Sequence, residues 1–402
     1  MRLKKVDVSQ PRSYGWLLNM FSYGRQCISE ADISAVIKVL KSDFLTQGPK
    51  VPEFESAMCD RVGAEFAVAM NSATSALHAS CLALGFGPGD LLWTTPNTFV
   101  ASANCAIYCG GEIDFVDIDA ATFNIDLDAL EEKLIVAKLK NKLPKIIIPV
   151  HFGGNPCDLL KLSQLSAEYG FKIIEDASHA VGATYASEPV GSCRYSDITI
   201  FSFHPVKIIT SGEGGLALTN SQKVAEKLGA LRSHGITRDP RKFNKNLSEK
   251  WYYEQQSIGF NYRMNDIEAA LGLSQLGNID DFIGRRNQIA QTYNSSFDSF
   301  RIKPQKTISC GYSSWHIYVV RLLNCTREDR NRIFDKMSEA GIGVNIHYIP
   351  VHLQPYYSNL GFKRGDFPAA ERYYEQCLTL PIHPQLTDDA TTYIINTLKG
   401  LL

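Results

Sequence analysis

Three short stretches carry residue types that could do chemistry together. Lys207 stands in FSFHPVKIITSGEGG, a few residues after an apolar strand-like run and just before a glycine-rich turn. Most lysines are solvated surface groups, but Phe201, Phe203, Val206, Ile208 and Ile209 surround this one. A desolvated amine has a lowered pKa and attacks carbonyl carbons. Asp176 ends the apolar run of KIIEDASHAVGA, with His179 three residues on. A carboxylate at the edge of a sheet either needs a cationic partner or caps the next segment. The stretch NSATSALH at 71–78 sets small residues and hydroxyls, Ala73 and Thr74 among them, between a strand and an apolar helix. Unsatisfied N–H groups and the helix macrodipole favour an anion there, although the same pattern also makes an ordinary N-cap. Each signal is weak alone. Together, a reactive amine, an anion site and a buried carboxylate match the aldehyde, the phosphate and the pyridine nitrogen of pyridoxal 5′-phosphate (PLP).

Such a set works only if the fold brings the three stretches to one place. From 65 to 220 short apolar runs (EFAVAM, LLWTT, EIDFVDI, KIIIPV, FKIIEDA, DITIFSF, GLALTN) alternate with helical stretches such as 73–84 and 158–169. That alternation is the α/β pattern. Continuous apolar strands imply a sheet covered by helices on both faces, with its ligands beyond the carboxyl ends of the strands. Ser29 and Asp32 have capping-box spacing before a first helix; Pro52 is expected to open a second, which Gly63 closes. The polar stretch 236–258 reads as a long surface loop before a helix around 264–276. After about 280 a long helix to 297, the strand WHIYVVRLL and a helix near 326–340 suggest a smaller α+β domain. The expected division is a large domain at 23–275 and a small one at 276–402. Residues 1–22 are expected to be an N-terminal extension, disordered or not native, with Met20 as an alternative start.

Composition narrows the function class. The 402 residues are 45% hydrophobic and 21% charged, as in an ordinary globular chain. Lys+Arg is 41 against Asp+Glu 42, so the net charge of -1 supplies no field for nucleic acid or an anionic membrane. No apolar run is long enough to span a bilayer and no signal peptide is evident, which gives a cytoplasmic expectation. The ten cysteines contain no C-x-x-C, so no metal site is expected.

From about Tyr23 to the C-terminus the chain resembles the sugar aminotransferases of the DegT/DnrJ/EryC1/StrS family. The motifs that carry the resemblance are LTQGP, NSATSALH, TPNTFVASANCAIYCGG, EDASHAVGA, FSFHPVK, GEGG, RSHG and GFNYRMNDIEAALG. It implies the fold-type I architecture of PLP-dependent transferases, like aspartate aminotransferase: a large α/β domain with a mostly parallel sheet, plus a smaller C-terminal α+β domain. It implies that Lys207 bonds the cofactor's aldehyde and later moves the proton, while Asp176 keeps the ring nitrogen protonated. It puts Phe99 over the ring, Ala73, Thr74 and Ser202 at the phosphate, and His179 beside Asp176. Asn261 matches a residue that reaches the phosphate from a second subunit, which implies a homodimer with shared sites. The family's dehydratases carry His where Lys207 stands, so amino transfer is favoured.

Within the family, YGRQCISEADI, SSWHIYVVRL, NIHYIPVHLQPYY and GDFPAAERYYEQCLTLPIHP are similar to the UDP-sugar 4-aminotransferases of pseudaminic acid biosynthesis. The likeness implies L-glutamate as amino donor and a UDP-linked 4-keto-6-deoxy amino sugar as acceptor. Tyr348, His352 and Tyr357 are then either sugar-nucleotide contacts or members of a packed Tyr/His cluster. A 4-aminotransferase of the bacillosamine or perosamine type, and a regulatory protein that binds PLP without turnover, remain alternatives. A dinucleotide-dependent oxidoreductase is disfavoured, because no G-x-G-x-x-G follows the first strand.

Overall fold

A computed structural model describes residues 21–245, 249–297 and 301–402. The expected N-terminal extension thus lies outside the described residues except for Phe21 and Ser22. Phe21 exchanges backbone hydrogen bonds with Gly341 and Gly343.

The seven apolar runs form one seven-stranded sheet: β1 (Phe66–Met70), β2 (Leu91–Thr94), β3 (Glu112–Phe115), β4 (Ile146–Ile148), β5 (Lys172–Asp176), β6 (Ile198–Ser202) and β7 (Gly215–Thr219). The spatial order is β1-β7-β6-β5-β4-β2-β3. The run from β6 to β3 is parallel, whereas β7 lies antiparallel to both β1 and β6. The reversal has a local cause: no helix intervenes between Ser202 and Gly215, and a parallel return needs a crossover of a dozen or more residues, usually a helix.

Alternate residues of each strand feed opposite faces. Ile146, Ile148, Ile174, Ile198 and Ile200 pack with Ala76, Leu77, Ala103 and Ala106 of α3 (Ala73–Ala83) and α4 (Ala101–Tyr108), numbered after the two helices that precede the sheet. Those first two are α1 (Glu30–Leu40), which begins on the expected Ser29/Asp32 capping box, and α2 (Lys50–Val62), which ends at Gly63 with φ +78°. On the other face Ile147 and Ile173 meet α5 (Leu127–Leu139) and α6 (Leu159–Tyr169), while Phe201, Leu216 and Leu218 meet Phe54 and Met58 of α2. After α7 (Gln222–Arg232), α8 (Asp266–Leu276) completes that layer through Ala269.

Pro52 does not open α2, which starts two residues earlier. The Asp266 carboxylate accepts from the N–H groups of Gly48 (2.9 Å) and Lys50 (2.8 Å) and fixes the start there. Pro52 sits in the first turn, where its missing N–H costs no helical bond.

Beyond α8 the chain builds α9 (Ile279–Phe297) and a separate antiparallel sheet of Ile302–Pro304, Tyr318–Leu322 and Cys377–Leu380, in that order. Its own core includes Tyr293, Phe297, Ile333, Met337, Ile394 and Leu398. The expected loop 236–258 contains a short ribbon, Ile236–Thr237 against Glu254–Gln255. Among the described residues no helix is long and apolar enough to cross a membrane.

Candidate active site

The carboxyl ends of β1, β2, β4, β5 and β6 surround a cavity of about 410 Å³, which the amino end of the reversed β7 also approaches. That is the end of the sheet at which the α/β rule expects a ligand.

On one wall is the start of α3. Ser72 caps it, its Oγ accepting from Ser75 N–H at 3.1 Å, and Ser75 Oγ donates to Asn71 Oδ1 at 2.6 Å. The N–H groups of Ala73 and Thr74 find no acceptor among the described residues, and both residues line the cavity. The helix start reaches this place because Gly215 of β7 has no side chain. A Cβ there would lie 2.3 Å from Ser72 C and 2.4 Å from Ala73 N. That close approach is what the last glycine of GEGG permits.

The two charged groups singled out from the sequence line the same cavity. Asp176 is buried at the end of β5, its Oδ1 accepting from Ser178 N–H (3.1 Å) and its Oδ2 from Ser102 Oγ (2.5 Å). Lys207 lines the same cavity, and its Nζ has no hydrogen bond or ion pair among the described residues. Burial lowers its pKa to about 8, with the Asp176 charge opposing the shift. An amine with that pKa exchanges protons near neutrality.

His179 is held neutral. Burial pushes its pKa well below the ordinary value, and the charges of Lys207 and His347 push the same way. Its Nδ1 accepts from Gly153 N–H at 3.3 Å, so the ring proton sits on Nε2 and is donated to the Tyr348 hydroxyl, 3.2 Å away. The Tyr348 proton is then free for another acceptor. Burial and the nearby Asp176 raise the tyrosine's pKa, which keeps it a donor.

Ser202 lines the cavity at the end of β6, and Phe99, 58% exposed, stands at its mouth 6.3 Å from the Tyr348 ring. Asn261 is not brought to the cavity of its own chain; it lies exposed, bridged to Ser233. Of the three ring residues left open by the sequence, Tyr348 lines the cavity. The other two are packed: His352 Nε2 is 3.0 Å from Glu371 Oε1, and Tyr357 OH donates to Asn104 Oδ1 at 2.6 Å.

Sequence reasoning missed Tyr23, His316 and His347. The His316 ring lies 4.4 Å from that of His179, while His347 Nδ1 is 2.8 Å from Thr379 Oγ1 and its ring packs 5.3 Å from Tyr23. The available signal was the imidazoles inside the apolar stretches WHIYVV and NIHYIP, where burial demands partners. All three missed residues come from segments far in sequence from the sheet.

These features fit PLP. The unpaired N–H groups of Ala73 and Thr74 suit a phosphate, the unpartnered Lys207 amine suits an aldehyde carbon, and buried Asp176 suits a cationic ring nitrogen.

Comparison with known proteins agrees. The profile of the DegT/DnrJ/EryC1/StrS aminotransferase family matches residues 26–399. The spore coat polysaccharide biosynthesis protein SpsC of Bacillus subtilis is 37% identical over 388 residues, covering 94% of this chain and 96% of its own. The UDP-4-amino-4,6-dideoxy-N-acetyl-beta-L-altrosamine transaminase of Campylobacter jejuni (strain 81-176) is 37% identical over 389 residues, covering 95% and 98%. Among solved structures, the PLP form of the sugar aminotransferase Spr1654 from Streptococcus pneumoniae gives a TM-score of 0.86 at 32% identity, covering 95% and 98%. Helicobacter pylori PseC, an aminotransferase involved in the biosynthesis of pseudoaminic acid, also gives 0.86 at 32% identity, covering 95% and 99%. The chain belongs to the DegT/DnrJ/EryC1/StrS aminotransferase family and is a PLP-dependent sugar aminotransferase.

Proposed function

We propose that the enzyme moves the amine of L-glutamate to C4 of UDP-2-acetamido-2,6-dideoxy-β-L-arabino-hexos-4-ulose, giving UDP-4-amino-4,6-dideoxy-N-acetyl-β-L-altrosamine. The observation that carries this substrate is the likeness, over nearly the whole of both chains, to a transaminase named for that product.

PLP, when bound, supplies an electrophilic carbon for the amine and a ring that withdraws electrons from the reacting carbon. The chain's own groups do the rest. Ala73 and Thr74 offer N–H donors, and Ser202 a hydroxyl, to the phosphate. Phe99 would cover one face of the ring, and Asp176 would face the ring nitrogen. Lys207 would hold the cofactor and, once freed from it, its amine, with a pKa lowered to about 8, could move the proton between the cofactor and substrate carbons. Tyr348, oriented by His179, keeps a hydroxyl donor available in the cavity.

Residues 23–275 form the cofactor-binding domain in this reading, and 276–402 the smaller one, which contributes His316, His347 and Tyr348 to the cavity. Two copies of the chain share their sites. The excursion before Asn261 exposes Trp251 (73%), Tyr253 (50%) and Ile258 (77%), an apolar surface that supports burial against a second copy. Asn261 then reaches the phosphate end of the neighbouring site.

The test gives the purified enzyme L-glutamate and either of two UDP-4-keto-6-deoxy-N-acetyl sugars, the inverted β-L-arabino ketone or its uninverted counterpart. Products are followed by mass spectrometry and NMR. Clear preference for the inverted ketone is expected. Preference for the uninverted one overturns the substrate assignment, and amination of neither, with no loss of the cofactor's visible band on adding glutamate, favours a binder without turnover.

A further inference from the structure

We propose that Ser102 is a positioning residue that acts through Asp176, and that Thr98 orients it. The inference rests on the reading that Asp176 faces the ring nitrogen of PLP.

Proton accounting gives the direction of the chain. Asp176 as a carboxylate can only accept, so the single hydroxyl proton of Ser102 goes to Oδ2, 2.5 Å away. Thr98 Oγ1 lies 2.8 Å from Ser102 Oγ, and with the Ser102 proton committed, Thr98 is the donor of that pair. The result is a directed relay, Thr98 to Ser102 to Asp176, in which each bond polarises the next. Ser102 is fully buried and Thr98, 2% exposed, lines the cavity beside it.

The carboxylate therefore receives one protein donor on each oxygen, Ser178 N–H on Oδ1 and Ser102 on Oδ2. The two bonds fix the plane of its carboxylate. A carboxylate held in one orientation would keep an oxygen aimed at the ring nitrogen and so favour a proton there, where it would draw electrons from the reacting carbon. Thr98 is followed directly by Phe99, and Ser102 lies in the first turn of α4. One turn of chain thus holds both the ring-covering aromatic and the hydroxyl pair that orients Asp176. The Ser102 backbone bonds independently of this, its N–H donating to Phe99 O.

The test loads the enzyme with PLP labelled with 15N in the ring and reads the nitrogen resonance against pH in wild type, S102A, S102T, T98V and D176N. S102A is expected to move the resonance toward the unprotonated position at neutral pH. It should also slow the single-turnover reaction with L-glutamate about ten- to a hundredfold, with little change in the glutamate concentration needed. S102T keeps the hydroxyl and the wild-type resonance, and T98V shifts it less and in the same direction. A resonance that moves in D176N but not in S102A or T98V overturns the relay and leaves the Asp176 reading standing. A resonance that moves in none of them overturns the Asp176 reading, and the relay with it. If S102A does not fold, T98V, which leaves Ser102 in place, decides in the same way.

Discussion

Gly215 is where the backbone geometry bears most directly on the cavity. Replacing it with alanine puts a methyl 2.3 Å from Ser72 C and 2.4 Å from Ala73 N, against an ordinary contact of 3.4 Å or more, so one side must retreat by about 1 Å. The strand cannot: Gly215 is paired with Met70 of β1 and with Ser202 of β6. The start of α3 moves instead, and it carries the unpaired N–H groups of Ala73 and Thr74. A donor about 1 Å farther from a phosphate oxygen has left the range of roughly 2.7–3.2 Å in which such bonds form. A hydrogen bond to a charged group contributes about 1.5–3 kcal/mol, so losing one weakens PLP binding roughly ten- to a hundredfold. Overpacking itself costs about 1–3 kcal/mol of stability. Gly229 in α7 is the matched control, since a Cβ there meets nothing within 4 Å; Gly229→Ala should bind PLP normally and be more stable by roughly 0.5–1 kcal/mol. Equilibrium dialysis against PLP and thermal unfolding of the cofactor-free protein read both quantities. Wild-type PLP affinity in Gly215→Ala would refute the role given to this helix start.

Burial lowers Lys207 to about 8 in the folded chain, while in the unfolded chain it titrates near the ordinary 10.5. Below pH 8 both states are protonated and the penalty of a buried charge is fully present; between about 8 and 10.5 the unfolded chain binds the extra proton, so stability rises with pH. Cofactor-free Lys207→Met should therefore melt above cofactor-free wild type at pH 7, with the gap closing by about pH 10.5; a gap that widens contradicts the reasoning. Asp266→Ala removes the buried acceptor of Gly48 and Lys50 N–H and should cost about 1.5–3 kcal/mol in urea unfolding, whereas a loss under 0.5 kcal/mol would deny it the role of fixing the start of α2. Trp251→Ser combined with Ile258→Ser should shift sedimentation toward a monomer and lower activity in parallel; an unchanged oligomer would place the shared surface elsewhere.

All seven strands were legible as apolar runs, because strands buried on both faces need no polar alternation. Asp176 and Lys207 were legible as charged groups at the ends of such runs, where solvation is poorest. The direction of β7 was written less plainly, in the absence of a helical pattern between Ser202 and Gly215. The start of α2 was misread at Pro52, since the acceptor that fixes it, Asp266, lies more than 200 residues away. The imidazoles of His316 and His347 were invisible as site residues for the same reason: periodicity describes a segment's own burial, not which distant segment it is buried against. Asn261 could be named only through resemblance, and its place in a single chain is an exposed loop.

The most direct test of the account is chemical. Borohydride reduction of the PLP-loaded enzyme, followed by digestion and mass spectrometry, should leave a phosphopyridoxyl mass on the peptide containing Lys207. The same treatment of Lys207→Ala should leave none, and that variant should be folded and without turnover. A label on another lysine, or substantial turnover by Lys207→Ala, would contradict the placement of the cofactor in this cavity.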